Sequence, residues 1–148
     1  MFEYLKVGSL HEPLSGRRWN AAEIERRRSS RASFYRDAGL QPGDRVFLHF
    51  GNTLEIFVEI LAIWSEGGCV APIDPRLTPF ETETLATAAS PRFSAWLGPP
   101  DGAVGGALER QGVKLVDVSE TFRAKGRGAP PAGPVAAAPE ADALVLFT

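Results

Sequence analysis

Between Gln41 and Val118 the chain alternates short apolar runs with longer segments of helical spacing, and this alternation restricts the fold more than any other feature. Short runs such as Val46 to Phe50, apolar with no clean alternation, suit strands buried on both faces, which requires helices on both sides of the sheet. The expected class is therefore α/β, a mostly parallel sheet with helices on both faces. Val46 to Phe50 follows the turn Gln41-Pro42-Gly43-Asp44, and further strands are expected at Cys69 to Ile73, Arg92 to Leu97 and Val113 to Val118. Pro72 lacks a ladder N–H, so its strand lies near an edge or ends there.

Helix boundaries are marked by their caps. Asn20 with Glu23 three residues on opens a helix that runs to about Ala38 and stops at Gly39. Asn52 with Glu55 repeats the arrangement and opens a helix through about Glu66, apolar around most of its circumference and so largely buried, with Gly67-Gly68 after it. Thr78 with Glu81 is a capping box, and Pro79 takes the first helical position of a helix reaching about Ala89. Ser90-Pro91 stops that helix. A weaker helix over Val104 to Gln111 is handicapped by Gly105 and Gly106.

Composition narrows the function classes. A chain of 148 residues suits one domain, and a formal net charge of −2 fits neither a polyanion mimic nor a strongly basic nucleic-acid binder. Residues 1–36 nevertheless hold eight Lys and Arg against four Asp and Glu. In the first helix Ile24, Ala32 and Tyr35 mark a narrow buried stripe, while Arg26, Arg27, Arg28, Arg31 and Arg36 fill much of the remainder. A solvated helix face is preferred there to a nucleic-acid or membrane patch, because the whole-chain charge gives the patch no support. One cysteine, Cys69, excludes an internal disulfide and fits a reducing cytoplasm. The amino terminus lacks a secretory apolar stretch, and the richest apolar segment, Leu54 to Trp64, is too short to span a bilayer, so a cytoplasmic protein is expected.

Few side chains stand out as chemical candidates. His49 interrupts a buried strand, where a lone histidine is more often a hydrogen-bonded core residue than a metal ligand. Glu55 and Glu59 are one helical turn apart and read as neighbours on a narrow polar stripe rather than a catalytic pair. Cys69 reads as a small buried apolar residue. Arg76, just outside the well-marked helix start at Pro79, has two readings of equal weight: it holds an anionic group, phosphate above all, or it pairs with Asp74 or another nearby carboxylate.

Residues 125–141 are rich in Pro, Gly and Ala and read as a surface linker, after which Ala143 to Thr148 reads as a fifth strand. In order and spacing, Asn20 to Glu25, Gly39 to Val46, Asn52, Ala62 to Asp74, Pro75 to Glu81 and Ala143 to Thr148 resemble the start of the adenylate-forming (AMP-binding) superfamily. That superfamily includes acyl- and aryl-CoA synthetases, luciferases and peptide-synthetase adenylation domains. The run Gly67-Gly68-Cys69-Val70-Ala71-Pro72-Ile73-Asp74-Pro75-Arg76-Leu77 is the most specific part of the likeness.

The resemblance implies that residues 1–148 are the amino-terminal portion of an AMP-binding domain, the first subdomain of the large domain of an acyl-CoA synthetase-type enzyme. It implies a ligase reaction in which a fatty or aryl carboxylate attacks the α-phosphate of ATP, with Mg²⁺ offsetting phosphate charge, before the acyl group passes to a thiol, usually coenzyme A. Thr148 would be the first residue of the loop that wraps the ATP phosphates, and Arg76 matches an arginine that contacts the coenzyme A phosphates in some aryl-CoA ligases. The rest of the enzyme would follow Thr148 as the main partner, and this piece alone is expected to be inactive and to hold no cofactor. No catalytic residue is expected within it. A free-standing doubly wound α/β binding module without catalysis is the alternative, and a nucleic-acid binder using the arginine helix is a third reading. Ala21, where many members carry an aromatic, leaves the substrate subgroup open.

Overall fold

A computed structural model of the chain describes residues 8–119. The linker expected at 125–141, the strand at 143–148 and Thr148 itself lie outside the described residues. The order of elements is β1 (Ser9–Glu12), β2 (Arg17–Asn20), α1 (Ala21–Ala38), β3 (Arg45–His49), α2 (Leu54–Ser65), β4 (Cys69–Pro72), α3 (Pro79–Ala89), β5 (Phe93–Trp96), α4 (Gly102–Arg110) and β6 (Lys114–Asp117). Strands β3 to β6 form a wholly parallel sheet in the order β4-β3-β5-β6. Pro72 falls at the last residue of the edge strand of this sheet, as its missing N–H requires.

Side-chain alternation along the strands divides the core into two layers. Val46 and Leu48 point to one face and pack with Tyr35 of α1 and Ile63 of α2. Phe47 points to the other and packs with Ala86 and Ala89 of α3 and Val104 and Leu108 of α4. Helices therefore cover both faces, and the apolar strands are buried throughout; complete burial of one such side chain is worth about 1.5–3 kcal/mol.

Two of the helix starts form as the sequence predicts. Asn20 accepts from the Glu23 N–H while the Glu23 carboxylate accepts from the Asn20 N–H, and Thr78 and Glu81 make the same reciprocal pair with Pro79 at the first position of α3. At the other end of α1, Gly39 adopts the left-handed conformation (φ 90°) and its N–H reaches the last carbonyls of the helix. The third start differs. The N-cap of α2 is Thr53, not Asn52, and no side chain caps it. Glu55 is unavailable for a capping box because its carboxylate is held by Arg17 of β2, at 2.6 and 3.0 Å.

The hairpin β1–β2, paired antiparallel from Ser9↔Asn20 to Glu12↔Arg17, lacks a periodic signal in the sequence. It is anchored by Trp19, which packs with Ile24 of α1 and Leu54 and Val58 of α2.

The interface of α1 with α2 corrects the expectation of a solvated arginine face. Arg31 is only 1% exposed, and its Nε and Nη2 donate to the Glu59 carboxylate at 2.9 and 2.7 Å. The Tyr35 hydroxyl donates to the same carboxylate. Arg36 donates to Glu66 at 3.0 and 2.5 Å. Glu55, Glu59 and Glu66 thus form the polar stripe of an otherwise apolar helix, and each takes one arginine from β2 or α1. Glu59 and Glu66 are covered from α1, so Arg31 and Arg36 of that helix complete the packing of α2, while Arg17 of β2 does so at Glu55. Arg28 pairs with Glu25 on the surface, and Arg27 lies over the Trp19 ring at 4.2 Å.

Candidate functional site

The sheet reverses its winding between β3 and β5. The chain leaves β3 through α2 on one face and leaves β5 through α4 on the other, so the crevice outside the carboxyl ends of these strands is a topological switch point, where open α/β sheets bind ligands. His49 and Trp96, the last residues of the two strands, are register partners, and their rings stack at 3.9 Å with planes 3° apart. Around them lies a pocket of about 230 Å³ lined by His49, Asp74, Leu77, Thr82, Trp96 and Asp101, among others.

Local structure positions each of these groups. Asp101 caps α4, its Oδ1 accepting from the N–H groups of Ala103 and Val104 at 3.0 and 2.9 Å. Thr82 lies one turn into α3 and is fully buried. His49 is 7% exposed, and burial lowers its pKa to about 4, so the ring is neutral at pH 7. The sequence implies a hydrogen-bonded core histidine; in the structure its Nε2 is buried and has no partner among the described residues. The ladder satisfies the backbone of β3 but leaves the ring to whatever adjoins the strand end. Thr82 Oγ1 is likewise buried without a partner.

Arg76 sits at the rim, 88% exposed in its side chain, and is taken by the nearer carboxylate. Its N–H and Nε donate to Asp74 Oδ1 at 2.9 and 3.0 Å, and its Nη2 donates to Oδ2 at 2.6 Å. The pairing keeps the Asp74 carboxyl down at about 2. The helix start beside it is filled by Glu81, whose carboxylate accepts from the Thr78 N–H and hydroxyl at 2.8 and 2.7 Å. Of the two readings of Arg76, pairing with Asp74 is the one present, and the exposure leaves the outer side of the guanidinium open to an anion from solvent.

The other candidates are structural. Glu55 and Glu59 are held by separate arginines rather than facing a common reactant, and Cys69 is a buried thiol. Among the described residues no group of three or more His, Cys, Asp or Glu is placed to hold a metal ion. No helix among them is long and apolar enough to cross a membrane. The switch-point pocket is absent from the sequence reading because it depends on which strands are neighbours, and His49 and Trp96 are 47 positions apart.

Comparison with known proteins agrees with this architecture. ATP-bound MatB from Rhodopseudomonas palustris superposes with a TM-score of 0.80 at 21% identity, over 99% of this chain and 31% of that one. The N-terminal domain of FACL13 from Mycobacterium tuberculosis gives 0.76 at 21% identity, over 93% of this chain and 36% of that one. A fatty acyl CoA synthetase of the same organism gives 0.73 at 16% identity, over 92% and 28%. At such identities the likeness shows the fold, and the chain spans about a third of the length of these structures. No curated protein matches. The family model of the AMP-binding enzymes matches residues 9–147, nearly the whole chain, and the chain therefore belongs to the AMP-binding, adenylate-forming enzymes.

Proposed function

We propose that this chain is the amino-terminal part of an ATP-dependent ligase that joins a carboxylic acid to AMP and then passes the acyl group to coenzyme A. The match of the AMP-binding family model over residues 9–147 carries the reading. Similarity to an ATP-bound MatB and to a fatty acyl CoA synthetase supports ATP and coenzyme A as co-substrates. Mg²⁺ would accompany ATP, offsetting phosphate charge. Thr148 opens the phosphate-wrapping loop in this reading, and the catalytic groups come from the rest of the enzyme. The substrate is a fatty or aryl acid. The lone thiol Cys69 suits a reducing compartment, and the reaction is assigned to the cytoplasm.

Within the described residues Arg76 is assigned to the coenzyme A phosphates. Its exposed guanidinium can meet a phosphate oxygen while Asp74 holds its inner edge. Surface pairs of this kind contribute little to folding, so Arg76→Ala should leave stability essentially unchanged while weakening coenzyme A binding.

The test is carboxylate-dependent exchange of pyrophosphate into ATP. The purified 148-residue chain should show none, and the polypeptide translated from the whole reading frame containing it should show exchange with at least one fatty or aryl acid. Exchange by the 148-residue chain would overturn its assignment as an incomplete catalyst. No exchange by the complete product across both acid classes would overturn the ligase reading.

A further inference from the structure

Helix α2 turns its charges inward and leaves apolar side chains outward. Glu55 and Glu59 are buried, their carboxylates taken by Arg17 and Arg31, and Glu66 just past the helix end is buried against Arg36. On the opposite side Phe57 is 51% exposed, and Ile60, Leu61 and Trp64, which follow it at helical spacing, are only partly buried. A helix on the surface of a free-standing domain has the reverse order, with its charges toward water, and one that is apolar on its outer side as well is normally covered. The helix contains no lysine or arginine, so its outer ridge has no cation to offer an acidic partner or an anionic lipid surface.

We propose that this ridge is the surface through which the chain packs against an uncharged, apolar face of the same polypeptide beyond residue 148. The proposal rests on the part of the ligase reading that makes this chain one portion of a longer enzyme. Three of the structures it resembles are matched over only 36%, 28% and 31% of their length, so most of an enzyme of that size lies outside the matched portion. The dimensions of the ridge favour this occupant over a second copy. Twelve helical residues extend about 18 Å, and a face about 10 Å wide offers roughly 180 Å², far below the ~800 Å² per partner of a stable association between separate chains. A contact within one polypeptide needs less area, because the covalent connection supplies an effective concentration of about millimolar.

The test is photocrosslinking of the polypeptide translated from the whole reading frame, with Phe57→p-benzoylphenylalanine as the probe. Irradiation should join position 57 to a residue after 148 of the same molecule, located by mass spectrometry of the peptides, while the protein still migrates as a monomer. Attachment to a second copy, attachment only within the first 148 residues, or no attachment would overturn the proposal. Phe57→Asp in the same polypeptide should speed hydrogen exchange in the attached segment about tenfold, through loss of one buried aromatic side chain, while exchange in β5 and β6 stays at the parent rate. Unchanged exchange in that segment, or an equal rise in β5 and β6, would overturn it too. Neither readout depends on catalysis. Attachment beyond residue 148 without pyrophosphate exchange would fail the ligase reading and leave the interface standing, and pyrophosphate exchange without such attachment would fail the interface alone.

Discussion

Removing one member of the Arg31–Glu59 pair should destabilise the chain severely, and removing both together should not. The pair is 1% and 0% exposed, bidentate, and joined by the Tyr35 hydroxyl on the same carboxylate. Burial of two charges costs several kcal/mol per ion, and their attraction and hydrogen bonds offset this only while both are present. Arg31→Met leaves Glu59 buried with only the tyrosine hydroxyl, and Glu59→Leu leaves a buried guanidinium facing an apolar side chain. Each single change should therefore cost about 3–5 kcal/mol, much of the 5–15 kcal/mol by which domains are usually stable. The unfolding entropy of a chain of 148 residues is about 0.3 kcal/mol per degree, so the loss is about 10–15 °C in Tm.

The double variant Arg31→Met/Glu59→Leu replaces the ion pair by side chains that continue the apolar packing between α1 and α2. It should lie within about 2 kcal/mol of the parent, giving a coupling energy of about 4 kcal/mol or more between the two sites. Urea unfolding followed by far-UV circular dichroism, with the m-value compared across the four proteins, measures this cycle directly. Single losses below 1 kcal/mol, or a double loss equal to the sum of the singles, would refute the view that these charges are buried and mutually dependent.

Three further outcomes follow from named contacts. Gly68→Ala should lose about 1–3 kcal/mol by urea unfolding, because a Cβ there would sit 2.7 Å from the Ile63 side chain and 3.3 Å from the Ile63 carbonyl oxygen. Thr78→Ala should lose about 1 kcal/mol by the same assay, since it deletes the oxygen that accepts from the Glu81 N–H and leaves an N–H at the start of α3 without its cap. Stability should also fall as pH drops from about 6.5 to 4, by about 3 kcal/mol, because burial lowers the His49 pKa from 6.5 to about 4 and the unfolded chain takes up the proton first. His49→Phe keeps an aromatic ring against Trp96 and should flatten that part of the pH profile; an unchanged profile would mean that the ring is not held neutral.

Legibility from sequence followed the range of the interactions. The caps of α1 and α3 are written within four residues, and Asn20/Glu23 and Thr78/Glu81 form as read. Four strands and four helices are likewise local, because burial on both faces of a parallel sheet leaves a continuous apolar run and a helix leaves its own period. Asn52/Glu55 has nearly the same local pattern as the working cap of α1, yet Arg17, 38 positions away, takes the Glu55 carboxylate and the cap forms at Thr53 without a side-chain bond. The hairpin that carries Arg17 has strands of four residues and an exposed turn, too short to show a period.

The same distinction governs charge. Arg31 and Arg28 are three residues apart on one helix and identical in type, yet Arg28 pairs with Glu25 on the surface while Arg31 is buried against Glu59 from another helix. Local spacing cannot separate them, since what differs is the neighbour that α2 brings. The stripe Glu55, Glu59 and Glu66 held a usable signal: a helix that is apolar around most of its surface must bury its few carboxylates too, and buried carboxylates require cations. The nearest helix upstream offers an excess of arginine. Read together, the two helices predict their own docking, and the basic patch becomes half of an interface rather than a surface awaiting a nucleic acid.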